Sequence, residues 1–594
     1  MVDGGGTASF LGVERSLTGR RWTPRGGSER DGLALAQRLG VPELIGRLLA
    51  ARGVEIDGAE RFLNPTLRAE LPDPSHLKDM DTAVLRLRRA VELGEAIVVF
   101  GDYDVDGATA AALLCRFLAA VGAKARAYIP DRMIEGYGPN TKALLKLKED
   151  GAAVVITVDC GITAFEPLAA ARAAGLEVIV VDHHVAEPTL PDAIAVINPN
   201  RLDETSPHGT LAAVGLAFLL AIGLNRALRA AGWFKTRAEP DLMQWLDLVA
   251  LGTVCDVVPL VGLNRVLVAQ GLKVLAKRGN VGLVALAAVA RIQRVPDAYH
   301  LGFVFGPRVN AGGRVGRADY GTRLLANDDP LEAAELAAEL ERFNAERKAI
   351  EARVQEAAIQ MVDASPMAES GLIFAAGEGW HAGVIGIVAG RLKERYNRPA
   401  IVVALAEGVG KGSGRSVAGV AMGPAIIAAR QAGLLVNGGG HAMAAGFTVA
   451  GDKIAALQTF LGERLAEACN ALDPKPALSL DGALAPSAAT PELVELVQRV
   501  GPFGVGNAEP RFAVASARIM RADVVGENHV RCILGGADGG RLKAIAFRSL
   551  GSDLGPALLK SRGAALHLAG HLRLDEWQGR REVQLLIDDA AVAG

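Results

Sequence analysis

The sequence predicts an α/β protein that starts with a doubly wound parallel sheet and ends in a small β-barrel. Three runs, IVVF (97–100), VVITV (154–158) and VIVV (178–181), are separated by helical stretches, which is typical of buried parallel strands. Residues 330–362 contain no glycine and no proline after the first position, so they predict one helix of about 45–50 Å. From about residue 475, short alternating runs broken by Gly and Asp-Gly turns indicate the barrel.

The length of the chain predicts several domains. With 594 residues it is too long for a single hydrophobic core. The expected parts are an N-terminal arm (1–45), a first α/β domain (46–329), a connecting helix (330–365), a second α/β domain (366–470) and a barrel (475–594). A coiled-coil dimer is the competing interpretation of the long helix. Its heptad pattern is not sustained, however, and this favours a connector between two domains.

The bulk composition is that of an ordinary globular protein. Lys plus Arg (64) nearly equals Asp plus Glu (66), so any electrostatic attraction for nucleic acid has to be local. The five cysteines are widely spread without a CxxC pair, which predicts a cytoplasmic location, and Cys160 and Cys255 are interpreted as packing residues rather than redox groups. The N-terminus shows no signal-peptide pattern. The uncharged run 209–225 is shorter than the ~20 residues that a membrane span needs, so it predicts a buried helix and no membrane contact.

The first α/β domain alternates strands and helices in a regular order. Its predicted strands are 97–101, 124–129, 153–158, 177–182 and 195–200, and its predicted helices are 108–121, 141–149 and 163–174. Helices follow to about residue 290 and are interrupted at 251–260, where Asp256 precedes a Val-Val-Pro break. The second α/β domain is dense in glycine, and a helix-like run at 491–500 precedes the barrel strands.

Acidic residues and histidines follow the predicted strands at the edge where parallel sheets bind ligands. They are Asp102, Asp104, Asp106, Asp159, Asp182, His183 and His184. So many carboxylates in one crevice repel one another unless cations hold them, and the pattern therefore predicts a metal site. Taken alone, GDYDVDG could be a solvated acidic turn, and it is not an EF-hand, because a strand precedes it and no bidentate Glu follows. A mixed Asp/His set suits Mn²⁺ or Mg²⁺ better than structural zinc.

Three glycine-rich motifs carry side chains suited to phosphate. GPRVNAGGRVGR (306–317) is interpreted as a loop in which arginines and exposed backbone N–H groups grip phosphate, and SGRS (413–416) and GGGH (438–441) are similar. The side chains concerned are Arg308, Arg314, Arg317, Arg415, Ser416 and His441. The alternative is that these glycines are ordinary turn residues, and no single motif decides between the two.

Taken in order, the motifs resemble those of the DHH phosphoesterase superfamily. The first domain supplies GDYDVDG, TVDCG, DHH and GTVCDVVPL, and GWHAGVIGIVAGR, SGRS and GGHAMAAGF are similar to the DHHA1-type domain associated with it. GPRVNAGGR, the long helix, GPFGVGNAEP and the barrel narrow the resemblance to the RecJ family of bacterial exonucleases, over about residues 45–594. The resemblance implies a DHH catalytic domain, a DHHA1-type substrate-binding domain and an OB-fold barrel that binds nucleic acid.

The resemblance also implies roles for individual residues. The implied ligands of two divalent ions, Mn²⁺ or Mg²⁺, are Asp104, Asp106, Asp159, His183 and Asp256. Phe100 stands where some superfamily members have a metal-binding His, and Asp102 would take that place. Catalysis would involve Asp159, Asp182 and His184, the last as a group that stabilises the transition state. The implied contacts to DNA and its phosphates are Arg132, Arg308, Asn310, Arg314, His381, Arg415, Ser416 and His441.

The function implied by the resemblance is a 5′→3′ exonuclease that releases mononucleotides from single-stranded DNA by two-metal-ion hydrolysis, in DNA repair and recombination. Single-strand-binding protein and a RecQ-type helicase are the implied partners, and a monomer is expected. One rival is a phosphoesterase acting on small substrates, but these need no barrel and connector. Another is a catalytically inactive nucleic-acid-binding subunit, but every expected acid is present. In the barrel, Phe503 and Phe512 are candidates for stacking on bases, and core packing is expected for at least one of them.

Overall fold

The structure is a computed structural model that describes residues 8–132, 134–365, 371–472, 477–577 and 580–593. The chain divides into two compact units. The larger unit comprises Pro72–Asp256 and Gly271–Asp473, and the smaller unit comprises Met1–Leu71, Val257–Gln270 and Pro474–Gly594. Each unit has hydrophobic cores of its own.

Both strands and helices occur in each of the two units. The strands are β1 (Arg21–Pro24), β2 (Ala96–Gly101), β3 (Lys124–Tyr128), β4 (Val154–Val158), β5 (Glu177–Val181), β6 (Ala195–Ile197), β7 (Ile373–Glu378), β8 (Ala400–Ala406), β9 (Val409–Arg415), β10 (Asn437–Gly440), β11 (Ala444–Ala450), β12 (Ala477–Leu480), β13 (Gly482–Leu484), β14 (Phe512–Val525), β15 (His529–Gly535), β16 (Arg541–Ala546), β17 (Ala565–Trp577) and β18 (Arg580–Val592). The helices are α1 (Glu29–Leu39), α2 (Glu43–Ala50), α3 (Ala59–Leu63), α4 (Leu67–Glu70), α5 (Met80–Leu93), α6 (Val105–Ala120), α7 (Thr141–Glu149), α8 (Phe165–Ala173), α9 (Ala213–Ala230), α10 (Leu246–Cys255), α11 (Gly262–Leu275), α12 (Val281–Val289), α13 (Ala298–His300), α14 (Gly306–Val315), α15 (Tyr320–Ala326), α16 (Pro330–Asp363), α17 (Ile385–Tyr396), α18 (Met422–Gln431), α19 (Ile454–Asn470), α20 (Pro491–Arg499) and α21 (Leu554–Lys560).

The first sheet of the larger unit has five parallel strands in the order β3-β2-β4-β5-β6, so the predicted parallel sheet is confirmed. This is the 2-1-3-4-5 order of a doubly wound sheet, with its switch point between β2 and β4. The register pairs Gly101 with Val158, and Val158 with Val181. The strands β2, β4 and β5 therefore end at the same level.

Helices cover both faces of this sheet. On one face, Val98, Val155 and Val180 share a core with α7 and α8. The helices α6 and α9 contact strands of the same sheet, whose remaining Val and Ile side chains are buried as well. Among the described residues, α9 alone is long and apolar enough to cross a membrane, and 72% of its apolar stretch is buried inside the protein. The helix predicted within 209–225 is thus present as a core helix that begins at residue 213.

The long helix predicted at 330–362 is confirmed as α16. The Asp329 side chain caps its N-terminus. Near its other end, Val354, Ala358 and Val362 pack in one core with α17, β7 and β8 of the second sheet. That sheet has the order β10-β11-β9-β8-β7, in which only β7 and β8 pair in parallel. Its other core includes α18 and α19, so this is the second α/β region expected from the sequence.

The smaller unit contains the predicted barrel. Five strands, β14-β15-β16-β18-β17, form a closed barrel because β14 pairs with both β15 and β17. Phe512 is fully buried in the barrel core, so it is the ring that packs in the core and is not available for stacking on a base. Phe503 is partly buried and packs against the same core.

The described N-terminal residues do not form an arm of their own. The strand β1 pairs in parallel with β12, and the buried Trp22 donates a hydrogen bond from Nε1 to Asp589 Oδ2 at 3.0 Å. The helices α1 and α2 place Leu35 and Leu48 in the barrel core. Trp22 and its partner are 567 positions apart. Patterns read over short windows give no sign of such a distant pairing, which is why the predicted boundary at residue 45 differs from the structure.

Candidate metal centre

Three strands bring acidic residues to one edge of the first sheet. β2 is followed directly by Asp102, β4 by Asp159 and β5 by Asp182. These strands are neighbours at the switch point, so the three side chains meet in the crevice outside the strand ends. Asp159 has a φ of 62°, in the left-handed region that few residues other than glycine adopt. Its N–H donates to Val181 O at 3.0 Å, so the neighbouring strand end holds this strained backbone in place.

Two more carboxylates are held at helix N-termini. Asp104 caps α6, and its Oδ1 accepts hydrogen bonds from the N–H groups of Asp106 at 2.9 Å and Gly107 at 3.1 Å. Asp106 is buried, and its carboxylate accepts hydrogen bonds from Ala213 N at 2.6 Å and Val214 N at 2.9 Å, at the start of α9. Free N–H groups and the positive end of the helix dipole stabilise an acid at such positions. The DYDVD motif therefore fixes two carboxylates at the strand edge.

Asp182 is fully buried and orients both histidines of the DHH motif. Its Oδ1 accepts hydrogen bonds from His183 N at 2.8 Å and His184 N at 3.2 Å, and it lies 2.7 Å from His184 Nδ1. Its Oδ2 accepts from Ile162 N at 3.0 Å. Burial opposes ionisation of Asp182, but the hydrogen bonds from His184 and Ile162 outweigh it and hold its pKa below the ordinary value. Burial lowers the pKa of the His184 imidazole, but its hydrogen bond with Asp182 and the charge of Asp182 raise it by more. The pKa of His184 therefore lies above the ordinary value.

His183 faces three carboxylates, and its Nε2 has no hydrogen-bond partner. This atom lies 3.2 Å from Asp159 Oδ1, 3.5 Å from Asp256 Oδ2 and 4.0 Å from Asp106 Oδ2. Among the described residues, His183 Nε2, Asp102 Oδ1, Asp159 Oδ1 and Asp256 Oδ2 are buried polar atoms without a hydrogen bond. Such atoms are costly, and native proteins keep few of them. Bound cations would supply partners for these atoms, so the donor set fits divalent metal ions.

The ligand atoms fall into three overlapping groups, each within 4.8 Å. The groups are Asp159 with His183 and His184, Asp106 with His183 and Asp256, and Asp102 with Asp104 and Asp159. Asp159 and His183 each belong to two groups. Phe100 is buried and stacks on Tyr128 with ring centroids 5.1 Å apart, so it only packs, and Asp102 is the potential ligand that follows β2.

Burial and mutual repulsion shift the pKa values of Asp102, Asp106, Asp159 and Asp256 upward. Burial, then the charge of Asp104, raises the pKa of Asp106 to about 7. Burial, then the charges of Asp106 and Asp104, raises the pKa of Asp256 to about 9. Burial lowers the pKa of His183 to about 4, so its imidazole is neutral, as metal ligation requires. A cation among these groups would reverse the repulsion and favour the carboxylates.

The acids open into a cleft of about 230 Å³ that basic side chains also line. Arg132, Asn310 and Arg314 belong to its wall. Burial, then the charges of Arg132 and other arginines, lowers the pKa of Arg314 to about 10. Burial and then the charge of Arg132 also lower the pKa of Arg415. Guanidinium groups that repel one another favour an anion between them. The cleft therefore combines a site for cations with a site suited to phosphate.

Comparison with known proteins agrees with this geometry. The DHH family N-terminal domain model matches residues 96–253, the DHHA1 domain model 369–467 and the RecJ OB domain model 480–589. The single-stranded-DNA-specific exonuclease RecJ of Escherichia coli K12 is 38% identical over 566 residues, which are 92% of this chain and 96% of that protein. The chain belongs to the RecJ family.

Solved structures of the RecJ family extend the match to three dimensions. Crystal structures of RecJ from Thermus thermophilus in complex with Mn²⁺ and with Mg²⁺ superpose with TM-scores of 0.79 and 0.73, at 30% and 29% identity. Each covers 95% of this chain, which in turn spans 78% and 77% of those chains. The cations named in these two structures are the pair expected from the mixed Asp/His donor set.

The prediction that residues 306–317 form a loop is wrong, because residues up to Val315 form the helix α14, and phosphate contact by this segment stays a prediction. Its glycines allow close packing. A Cβ at Gly306 would lie 2.5 Å from Cys255 Sγ, and one at Gly313 would lie 2.8 Å from Tyr103 O. Composition alone does not distinguish a glycine needed for close packing from one needed in a turn. SGRS is likewise not a loop throughout, because Arg415 ends the strand β9.

Several of the predicted DNA contacts have partners within the protein, and Arg308 and Ser416 are two of them. Arg308 forms an ion pair with Glu341 at 2.5 Å and donates from Nη1 to Val304 O at 2.8 Å. Ser416 is buried, and its hydroxyl donates to Val420 O at 2.6 Å. The structure thus gives both side chains a packing role, and their contact with DNA stays a prediction.

Other predicted contacts line a pocket or are exposed. His381 lies with Arg132 and Arg314 along an adjoining pocket of about 200 Å³, where Arg314 Nη1 also donates to Gly383 O at 3.0 Å. His441 is exposed in the turn after β10, and its N–H donates to Ala444 O at 2.8 Å. DNA binding by these residues also stays a prediction.

Three polar residues that support the centre were not predicted from the sequence. Tyr137 donates to Asp159 O at 3.1 Å, and its hydroxyl lies 3.4 Å from His184 Nδ1. Asn198 and Asn200 donate to the carbonyl oxygens of His184 and His183 at 2.9 and 2.5 Å. The two asparagines follow β6 at the edge that carries the acids. The rule that found the acids, polar residues after a strand, would have found them too.

Proposed function

We propose that this chain is a metal-dependent exonuclease that removes mononucleotides from the 5′ end of single-stranded DNA. The observation that carries the proposal is the set of buried, unpaired ligand atoms on His183, Asp159 and Asp256, of which Asp159 and Asp256 line a cleft together with arginines. Membership of the RecJ family supports it, because the relative from E. coli is named a single-stranded-DNA-specific exonuclease.

Two divalent cations, Mn²⁺ or Mg²⁺, would be held by the acids at the strand edge. The ligands we assign are Asp102, Asp104, Asp106, Asp159, His183 and Asp256. When bound, such ions supply an activated water at neutral pH and neutralise charge on the phosphodiester. Asp159 belongs to two of the three ligand groups, so its carboxylate would help to hold both ions.

The remaining residues of the centre position the substrate and hold protons. Asp182 Oδ1 is the partner of His184 Nδ1, so Nε2 is the ring nitrogen that can donate to a phosphate oxygen. The Tyr137 hydroxyl lies 3.4 Å from the same Nδ1 atom. Arg132 and Arg314 line the cleft beside the acids, and we assign to them the phosphate at the 5′ end of the strand.

The finer points of the proposal rest on the family resemblance. We expect the chain to act as a monomer, in a reducing cytoplasm, with single-strand-binding protein and a RecQ-type helicase as partners. The five cysteines are free in the structure, which suits that compartment.

A time course of digestion tests the proposal. Single strands labelled at the 5′ or the 3′ end are incubated with Mn²⁺, Mg²⁺ or EDTA. We expect the 5′ label to appear at once as a mononucleotide, the 3′ label to stay on progressively shorter strands, and no digestion in EDTA. Prompt release of the 3′ label, or digestion that persists in EDTA, is incompatible with the proposal.

Metal binding is expected to release protons. At about pH 6, Asp106 and Asp256 hold protons in the metal-free protein, because their pKa values are raised to about 7 and about 9. Ligation requires the carboxylates, so Mg²⁺ should displace these protons and bind more tightly as the pH rises through this range. Calorimetric titration in two buffers of different ionisation enthalpy measures the release. Identical heats in both buffers at about pH 6 would contradict the ligand assignment.

Replacing Asp182 with asparagine is expected to lower the rate of hydrolysis by about 10- to 100-fold, the usual cost of losing a residue that orients metal ligands. The amide keeps the shape but cannot accept hydrogen bonds at both positions from His184 and Ile162. Rates are compared with those of D192N, which changes an exposed acid on the same unit. A rate equal to that of the wild-type chain would show that Asp182 does not orient the centre.

A further inference from the structure

Two aromatic side chains of the larger unit are exposed next to each other. Tyr299 is 54% exposed and Phe303 is 71% exposed. Their rings stack with centroids 5.0 Å apart and an angle of 27° between the planes. Phenylalanine is among the residues most often buried, and an exposed aromatic pair leaves an apolar surface in water. The pair therefore has the properties of a contact surface for a flat apolar ligand.

The pair is fixed beside the metal centre by two short connections. Residues Leu301–Phe305 form a π-helical turn that continues directly into α14, which carries Asn310 and Arg314 of the cleft. Leu301 O also accepts a hydrogen bond from Cys255 Sγ at 3.4 Å, and Cys255 directly precedes Asp256. π-helical turns are rare in proteins, and those that do occur are often found at functional sites. The turn that contains Phe303 is thus connected to the Asp256 segment by the Cys255 hydrogen bond and to the helix α14 by the chain itself.

The surroundings of the pair are basic. Arg291 and Arg294 are exposed on the preceding segment. Arg294 Nε donates to His300 Nε2 at 3.3 Å, and the His300 ring packs edge-on against Tyr299 with centroids 5.9 Å apart. The one acid in this group, Asp297, is paired with His300 Nδ1 at 2.6 Å. Exposed aromatic rings flanked by arginines are typical of surfaces that bind single-stranded nucleic acids, where rings stack on bases and cations contact phosphates.

We propose that Tyr299 and Phe303 form a stacking site for a base of the single strand whose 5′ end lies at the metal centre. The inference rests on the proposed exonuclease function and adds a base-binding site to it. Every base has a π face, so the site would hold the strand without reading its sequence. A base in a duplex is already stacked on both sides. The site would therefore favour an unpaired strand and add to the single-strand specificity.

The test replaces the Phe303 ring in a variant of the protein that does not hydrolyse DNA. In a D159N background, the affinity for a single strand of about 20 nucleotides is measured with Phe303 intact and with F303A, F303L and F303W. We expect F303A and F303L to weaken binding by about 5- to 100-fold, since a base–ring stack is lost, and F303W to retain the affinity. Leucine keeps the apolar bulk, so an unchanged affinity of F303L would refute the stacking site.

An abasic strand of the same length separates stacking from other effects. It offers phosphates but no π face, so we expect F303L and the intact protein to bind it equally. An equal loss on abasic and normal strands would contradict the proposal, because the variant would then disturb the fold or the phosphate contacts. The control is L331A, which removes a side chain that is 77% exposed at the start of α16 and should bind both strands normally.

Two further outcomes have a defined meaning. If the Phe303 variants bind both strands as the intact protein does, the aromatic pair does not hold a base and the proposal fails. A failure of the exonuclease function itself would be seen separately, because the unmodified chain would then leave the 5′-labelled single strand intact.

Discussion

Replacing Asp159 with alanine is expected to reduce hydrolysis of single-stranded DNA by at least about a thousandfold. Asp159 belongs to two of the three groups of ligand atoms, and its Oδ1 lies 3.2 Å from His183 Nε2. Its loss should therefore weaken both metal positions together. Initial rates with saturating Mn²⁺ and the number of Mn²⁺ ions bound at equilibrium measure the effect, and both are expected to fall. The affinity for a single strand should change little.

A matched control for D159A is the substitution D247N. Asp247 is also a buried acid of the larger unit, and burial raises its pKa to about 6, but it lies at the start of α10 and outside the ligand groups. Its loss should leave metal binding intact and the rate within a few-fold of wild type. If D159A retained more than a few per cent of the activity with Mn²⁺, the assignment of Asp159 would be wrong.

Replacing Arg132 with alanine is expected to weaken binding of a 5′-phosphorylated single strand by about 10- to 150-fold, the cost of one charge-assisted phosphate contact. Arg132 lines the cleft, and its guanidinium lies 5.0 Å from the centre of the Tyr103 ring, so the arginine is held toward the acids. The slope of log affinity against log salt should also become shallower by about 0.7. Dissociation constants at several salt concentrations measure both effects.

The control for R132A is R126A. Arg126 is an arginine of the same unit, on β3, half exposed and 3.9 Å from Asp150, and it lies outside the cleft. Its removal should leave the affinity and the salt slope unchanged. The difference between 5′-phosphorylated and 5′-hydroxyl strands is the decisive comparison. If R132A weakened both strands equally, the role of Arg132 at the 5′ phosphate would be excluded.

The acidic edge of the first sheet could be predicted from the sequence because its residues follow a local rule. Acids that come directly after buried parallel strands meet at one sheet edge, and Asp102, Asp159 and Asp182 do so. The roles of individual side chains could not be predicted in the same way. Arg308 and Ser416 sit in motifs suited to phosphate, yet their partners are Glu341 and a backbone carbonyl, and only packing decides that.

The organisation of the smaller unit could be predicted only in part. The alternating strands of the barrel were evident, but nothing local shows that Leu35 and Leu48 complete its core. This has a practical consequence for truncation. Deleting the chain from residue 475 would remove the partners of these side chains and of Trp22, whose Nε1 donates to Asp589. A loss of activity in such a truncation would report on folding as well as on DNA binding, so point variants are the cleaner test.

The most direct test of the proposed metal centre is the location of bound Mn²⁺ by anomalous diffraction from crystals of this chain. We expect two peaks about 3.5–4 Å apart at the ends of β2, β4 and β5, with Asp159 as the ligand common to both. His183 Nε2 and Asp256 Oδ2, which have no hydrogen bond in the structure, should each contact an ion. A single peak, or peaks that leave these two atoms without a metal contact, would contradict the two-metal assignment.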